Sequence, residues 1–387
     1  MENTNQDVLG GSKRYSIADD VSIHAKREND DWGKFDEDWG FKIWDIPEKF
    51  RTKKKFENFK LAKQEEVEGK IILESMPYQI DVEPTNVCNL HCPLCSTGTD
   101  ESTRKKGMLE IENFKKLVDQ IKDFALQLSL QNWGESTLVK DFPKMIRYAT
   151  DAGIFSRVST NFSVDYTDDY LEQFVESGIG RIVIDVDGTT QEVYEKYRVG
   201  GNLETVIKNT KLAMEIKDKK GLEYPKIQAR MIVNKYNEHQ LEDFKKLSKD
   251  LGVDEIEVGN LQLNPNSAAE KWLPKNKQYV YSTYLGERRE TQCHWPWSGM
   301  VINWDGGIAP CSIIDDPNSD FGNVFEKDLK EIWNNEYYTS ARSTWSKGLK
   351  KDKFVICNMC KNDTHNPNLL RVGDTFSLTL DKSLNKK

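Results

Sequence analysis

Cys88, Cys92 and Cys95 lie in one stretch, Glu83-Pro84-Thr85-Asn86-Val87-Cys88-Asn89-Leu90-His91-Cys92-Pro93-Leu94-Cys95, with the spacing CxxxCxxC. Thiolates are soft ligands that suit zinc or an iron–sulfur cluster, and the spacing does not choose between them. A structural zinc ion closes its tetrahedron with a fourth ligand, and His91 sits within the loop to supply one. A four-iron cube held by three protein thiolates instead keeps one iron open, and an open iron is able to chelate and reduce a small molecule. The other four of the seven cysteines are Cys293, Cys311, Cys357 and Cys360, far downstream and ending in a CxxC pair. They make a complete tetrahedral set for one metal centre, either a redox group or a plain structural staple. In a reducing compartment such cysteines serve as ligands rather than disulfides.

The chain between the two sets alternates period-two and helical patterns. Residues 78–83 alternate toward the first cysteine loop, after which Leu109, Ile111, Phe114, Leu117 and Ile121 recur at helical spacing. Strand-like stretches at 126–130, 155–159, 181–186, 227–233 and 255–258 follow, with helical patterns near 139–152, 168–177, 203–217 and 239–251 between them. Serial βα units imply an α/β fold with a parallel sheet and right-handed crossovers. About six units fall short of the eight that close a full barrel, so the predicted architecture is a partial (β/α)6 barrel with its chemistry at the C-terminal strand ends. The cysteine loop follows the first strand and so belongs to that face. Downstream, residues 300–311 read as a hairpin turning at Asp305-Gly306, and a helical stretch begins at Asp328, giving a small C-terminal α+β unit. The expected domains are an N-terminal extension over 1–70, the barrel over 71–265, a linker over 266–290, a cluster domain over 291–363 and a tail over 364–387. The extension carries Asp31-Trp32-Gly33 and Asp38-Trp39-Gly40 and reads as a packed arm or a partner contact.

At 387 residues the chain exceeds what one core usually holds. A formal charge of −8 disfavours a nucleic-acid binder, which needs clustered Lys and Arg. The basic run over 51–55 is flanked by acidic residues and reads as a solvated face. No run approaches the ~20 apolar residues of a bilayer span, and the first residues lack the basic start and apolar run of a signal peptide. A cytoplasmic protein acting on a small molecule, without nucleic acid or membrane, is the expectation.

Over about 78–260 the chain resembles the radical S-adenosylmethionine (radical SAM) family. CxxxCxxC follows the first strand, Asn132-Trp133-Gly134-Glu135 follows the second and Ser159-Thr160-Asn161 the third. Asp185-Val186-Asp187-Gly188 and Tyr194-Glu195-Lys196-Tyr197-Arg198-Val199-Gly200-Gly201 follow the fourth. The resemblance implies that Cys88, Cys92 and Cys95 hold a [4Fe–4S] cluster that binds SAM. It implies SAM contacts from Glu135 to the amino group and Arg198 to the carboxylate, with Ser159, Asn161 and Asp187 beside them. Read without it, Glu135 is a helix N-terminal acid and Arg198 a surface residue before a glycine turn. Leu94 departs from the aromatic residue often found before the last cysteine.

Residues 291–363 resemble the Twitch form of the SPASM auxiliary-cluster domain, with a ligand order similar to that of the family's 2-deoxy-scyllo-inosamine dehydrogenase branch. The resemblance implies a second [4Fe–4S] cluster on Cys293, Cys311, Cys357 and Cys360, and an external one-electron reductant such as flavodoxin or ferredoxin. It also implies reductive cleavage of SAM to methionine and a 5′-deoxyadenosyl radical, and net oxidation of a small hydroxylated substrate such as a sugar or cyclitol. With all seven cysteines assigned, no thiol remains for an epimerase. A peptide-modifying enzyme and, in another class, a non-catalytic zinc-binding interaction module are the alternatives. Arg230 and Glu257 stand among apolar strand residues as ion-pair or catalytic groups, and His294 follows Cys293. The sequence assigns no catalytic base.

Overall fold

Six parallel strands, β2 (Gln79–Val82), β3 (Gln127–Ser129), β4 (Phe155–Thr160), β5 (Arg181–Asp185), β6 (Lys226–Val233) and β7 (Glu255–Asn260), follow one another in sheet order as they do in sequence. They belong to a computed structural model that describes residues 13–16, 46–261, 271–280, 293–346 and 353–359. Both tryptophan tripeptides, Cys360, most of 266–290 and the tail after 363 lie outside the described residues.

Between the strands run α2 (Ile111–Ile121), α3 (Phe142–Asp151), α4 (Asp168–Val175), α5 (Gln191–Tyr197), α6 (Leu203–Lys219) and α7 (Leu241–Asp250). Their apolar stripes explain why they cover the sheet. In α2 the buried residues are Phe114, Leu117, Val118 and Ile121, one face of a 3.6-residue period. Thr167 and Asn202 start α4 and α6 by accepting the Tyr170 and Thr205 amides. The middle strand β5 is buried along its whole length, as expected of a parallel strand covered on both faces.

The barrel is open, and its two edges are covered by strands from distant parts of the chain. β1 (Lys13–Ser16) pairs antiparallel with β7, from Lys13 opposite Val258 to Ser16 opposite Glu255. On the other side β8 (Gly299–Ile302) pairs parallel with β2, and β9 (Ile308–Ala309) returns antiparallel to it. The predicted hairpin is therefore present, but its first strand continues the barrel's own sheet. An uncovered β2 edge would leave a row of unpaired amides and carbonyls. The ladder is prolonged at each end by Tyr78 N–H to Ser298 O and Glu83 N–H to Ile302 O. Gly306, at φ +82, permits the turn.

The basic run over 51–55 opens α1 (Lys53–Val67), and only part of it is solvated. Lys53 and Lys54 are exposed, but Lys55 is 2% exposed and its Nζ donates to Gly153 O at 2.5 Å. Burial pushes its pKa down to about 8. The reading of a wholly solvated face fails because an amphipathic helix carries its third lysine inward, where the stem packs and the amine finds a carbonyl. Beside it, Ile46, Phe50, Phe59 and Ala62 pack with Tyr78, Leu126 and Phe155 at the N-terminal ends of β2 to β4, opposite the cysteine loop. Among the described residues no helix is long and apolar enough to cross a membrane.

Candidate active site

The cysteine loop leaves β2 and folds back under its own continuation. Thr85 Oγ1 donates to Gly107 O at 2.7 Å, and Leu109 N–H to Pro84 O at 2.8 Å. The Asn86 amide bridges Lys105 O and Gly107 N–H. Glycines permit two close approaches: a Cβ on Gly134 would lie 2.1 Å from Thr85 O, and one on Gly98 2.5 Å from Cys92 N. Cys92 is 7% exposed and Cys88 and Cys95 are half-buried.

Donors aim at these sulfurs. Leu90 N–H lies 3.5 Å and Asn161 Nδ2 3.9 Å from Cys88 Sγ, and Arg198 Nη1 4.0 Å from Cys92 Sγ. Burial pushes the Cys88 thiol up to about 12 and the Cys92 thiol up to about 11. Ionising these thiols therefore calls for nearby positive charge, which iron would supply if Cys88, Cys92 and Cys95 hold a cluster. Among the described residues no three His, Cys, Asp or Glu side chains converge as they would round a single ion. A cube, which seats each thiolate on a separate iron, does not need them to. His91 is exposed.

The expected SAM contacts converge on the same face, already tied to one another. Glu135 caps the turn Ser136–Leu138, and both its oxygens are engaged. Oε1 accepts from Thr137 N–H (3.2 Å), Thr137 Oγ1 (2.6 Å) and Thr160 Oγ1 (2.8 Å), and Oε2 from Asn161 N–H (2.8 Å). It joins the loops after β3 and β4. Asn161 carries the link onward, donating to Asn89 Oδ1 at 3.0 Å. Arg198 Nε meets Asp187 at 2.6 Å and Nη2 meets Asp185 at 3.0 Å. Burial opposes the guanidinium's charge, and Asp187 and Asp185 overcome it, holding Arg198 well above the ordinary arginine value. Asp187 also accepts from Ile232 N–H. Ser159 Oγ donates to Asp185 at 3.2 Å and accepts from Arg230 at 2.5 Å.

Arg230 itself pairs with Asp185 at 2.7 Å, so the ion-pair reading describes its observed contacts. Glu257 is buried and accepts from Gln228 at 2.8 Å. Asp185, the hub of this network, is not among the expected site residues; a carboxylate ending the apolar run Ile182-Val183-Ile184 is its signal. Leu94 fills the place next to the third cysteine in a small apolar cluster with Leu261, flanked by Tyr197, Ile232 and Trp272.

Sequence reasoning also passed over Glu83, the last residue before the loop. It is fully buried, its Oε2 accepts the Trp133 amide at 3.2 Å, and burial pushes its pKa up to about 7 from an ordinary 4.5. The folded carboxyl binds its proton more tightly than the unfolded one. Stability from this group is therefore full below about pH 4.5 and lost as pH rises through about 7. Glu83→Gln is expected to flatten that slope and stabilise the apo chain by about 3 kcal/mol at pH 8. Urea unfolding across pH 5 to 8 checks this, and an unchanged slope would contradict it.

Three cysteines of the second set lie within the described residues, and Cys360 lies outside them. Cys293 precedes α8 (Trp295–Ser298), Cys311 follows β9, and Cys357 lies in the turn Ile356–Met359 packed beside α10 (Glu336–Trp345). Asn358 Nδ2 donates to Thr344 Oγ1 at 2.6 Å, holding that turn to the helix.

A polar seam joins this unit to the segment after the first cysteine loop. Ser96 Oγ donates to Asp315 at 2.8 Å, Thr103 to Asp316 at 3.3 Å and Trp304 Nε1 to Lys105 O at 3.0 Å. At its centre buried Arg104 grips Asp305 with Nη1 (2.8 Å to both oxygens) and Asp320 with Nη2 (2.7 and 2.9 Å).

Comparison with known proteins agrees with this geometry. Residues 82–248 match the radical SAM superfamily and residues 293–361 the SPASM iron–sulfur cluster-binding domain. The chain is 26% identical to the tungsten-containing aldehyde ferredoxin oxidoreductase cofactor-modifying protein of Pyrococcus furiosus, over 72% of this chain and 86% of that one. It is 27% identical to the PqqA peptide cyclase of Bradyrhizobium diazoefficiens, over 48% of this chain, and spans 47% of that cyclase. Among solved structures, Streptococcus suis SuiB bound to S-adenosylmethionine superposes with a TM-score of 0.57 at 18% identity, over 76% of this chain and 74% of SuiB, a likeness of fold.

The chain carries a radical SAM domain over residues 82–248 and a SPASM iron–sulfur cluster-binding domain over residues 293–361. Its cofactors are accordingly SAM and [4Fe–4S] clusters.

Proposed function

We propose that this protein is an oxidoreductase that removes two electrons from a small hydroxylated molecule, a sugar or cyclitol, after drawing its first electron from a flavodoxin or ferredoxin. When bound, SAM and the two clusters supply a 5′-deoxyadenosyl radical and an acceptor for the substrate's second electron. The observation that carries the reading is the cysteine arithmetic. Three thiols occupy the SAM-side loop, and the other four form one complete set, leaving none to return a hydrogen atom to substrate.

The chain's own residues hold and orient. Cys88, Cys92 and Cys95 sit at the strand ends, and Arg198, fixed by Asp185 and Asp187, presents Nη1 toward Cys92. Glu135 and Asn161 tie the neighbouring loops together, with Ser159 fixed between Asp185 and Arg230. The Leu94 cluster offers an apolar wall beside the third cysteine.

Cys357→Ala is expected to lose about half the bound iron while SAM cleavage continues. With a panel of cyclitols and sugars, the wild-type chain should yield a product two hydrogens lighter and the variant should not. Unchanged iron in the variant would sink the second-cluster assignment. Peptide modification is the second reading, favoured by the likeness to PqqA peptide cyclase. SAM cleavage stimulated by peptides and indifferent to the cyclitol panel would replace the first reading with it.

A further inference from the structure

Asp81 stands in β2 between Ile80 and Val82, which are fully buried and join the core that holds Phe114 and Leu117 of α2. Successive side chains of a strand point to opposite faces, so Asp81 is turned to the inner side of the barrel. There it is half-buried, and its neighbours in register are Ser129 of β3 and, one strand further, Arg157 of β4. In those strands Leu128, Leu130 and Val158 take the outer side, within the same core. A parallel strand covered on both faces reads apolar, as β5 does at Ile182-Val183-Ile184. An acid, a hydroxyl and a guanidinium side by side across three strands depart from that pattern, and polar groups so placed bond to one another or to something held between them. The other carboxylates of this face are engaged, Asp185 by Arg198 and Arg230 and Asp187 by Arg198 and the Ile232 amide. Asp81 has the Ser129 hydroxyl and the Arg157 charge, and burial still pushes its pKa up to about 6 from an ordinary 3.8.

We propose that Asp81, with Ser129 and Arg157 beside it, is the docking point for a polyol substrate, which presents two adjacent hydroxyls to the carboxylate. An ionised carboxylate only accepts, at two oxygens, and neighbouring ring hydroxyls bring two donors to it. Ser129 both donates and accepts, and Arg157 donates to hydroxyl oxygens. The Arg157 charge also balances Asp81, so neutral hydroxyls suit the row better than a cationic group. On its other flank Asp81 meets Val301 of β8, which is apolar, so the polar row runs one way, toward β4. Ser159 lies two residues beyond Arg157 along β4, about 7 Å nearer the strand ends. Gln131 Oε1 accepts the Ser159 amide, and the Ser159 hydroxyl belongs to the Asp185 and Arg230 network. A six-membered ring docked on Asp81 therefore lies beneath the residues that surround the first cysteine loop. Asp81 determines which substrate binds; this assignment rests on the reading of the substrate as a small hydroxylated molecule.

Titration calorimetry on the anaerobically reconstituted full chain, with SAM and without reductant, tests it, using myo-inositol, scyllo-inositol, glucose and galactose as probes. The wild-type chain should bind at least one of them. Asp81→Asn should weaken that binding roughly tenfold to a hundredfold while the affinity for SAM stays unchanged. Once reductant is added, KM for the same polyol should rise by a similar factor, more than kcat falls. Ser129→Ala should shift binding in the same direction by a smaller factor. Apo Asp81→Asn should be at least as stable as the apo wild type at pH 8, since burial opposes the native carboxylate, so weaker binding would not report a lost fold. Equal binding by the wild type and Asp81→Asn overturns the assignment alone. A wild-type chain that binds none of the four probes overturns the underlying polyol reading as well.

Discussion

Cys92→Ala should abolish SAM cleavage while sparing the second cluster. Cys92 is the most buried of the three loop thiols, and it is the one that the Arg198 guanidinium reaches. Two thiols from one loop do not retain a four-iron cube, so bound iron should fall by about half and the second cluster's spectrum should persist. The fold should survive the change, because the bonds that tie the loop down, from the Asn86 side-chain amide to Lys105 O and Gly107 N–H, do not involve the sulfur. Iron analysis, spectroscopy and assay for 5′-deoxyadenosine on the same preparation check the three parts together. SAM cleavage at the wild-type rate by Cys92→Ala would contradict the ligand assignment.

Arg104→Ala should be the most destabilising single change at the seam between the two cysteine-bearing segments. The side chain is 3% exposed and makes four contacts of 2.7 to 2.9 Å to Asp305 and Asp320. Removing it leaves two partly buried carboxylates facing one another, and breaking such a pair costs about 3–5 kcal/mol. Burial already pushes Asp320 up to about 6 even with the arginine in place. Asp320→Asn in the Arg104→Ala background should therefore recover part of the loss, since it removes a charge that has become unpaired. Arg104→Lys should recover less than the charge alone suggests, because an ammonium lacks the fork that grips two carboxylates at once. Denaturant unfolding measures each, and a loss below about 1 kcal/mol in Arg104→Ala would show that the seam is peripheral.

Much of the architecture was legible in local pattern. The six βα units follow from alternation and helical spacing, and the three-plus-four division of cysteines follows from counting. The placement of the loop at a strand's C-terminal end follows from both. What was not legible depends on partners far apart in sequence. That β8 extends the barrel through β2 is a choice of edge and register between residues more than two hundred positions apart, and nothing in the 300–311 hairpin announces it. The Arg104 seam is hidden for the same reason: Asp305 and Asp320 are ordinary turn acids until an arginine 201 and 216 residues upstream reaches them. Lys55 departs from the solvated reading because net charge describes a run, whereas a helix sends successive residues to different faces. Glu135 shows a subtler difference. Its position was foreseen, but its carboxylate binds Thr137, Thr160 and Asn161, a role that depends on how the loops after β3 and β4 meet.

Anaerobic reconstitution of the wild-type chain with iron and sulfide, followed by SAM and a low-potential reductant, tests the central claim most directly. About eight irons per chain and formation of 5′-deoxyadenosine and methionine are the expected result. A chain that instead retains zinc, takes up no iron and leaves SAM intact would contradict it.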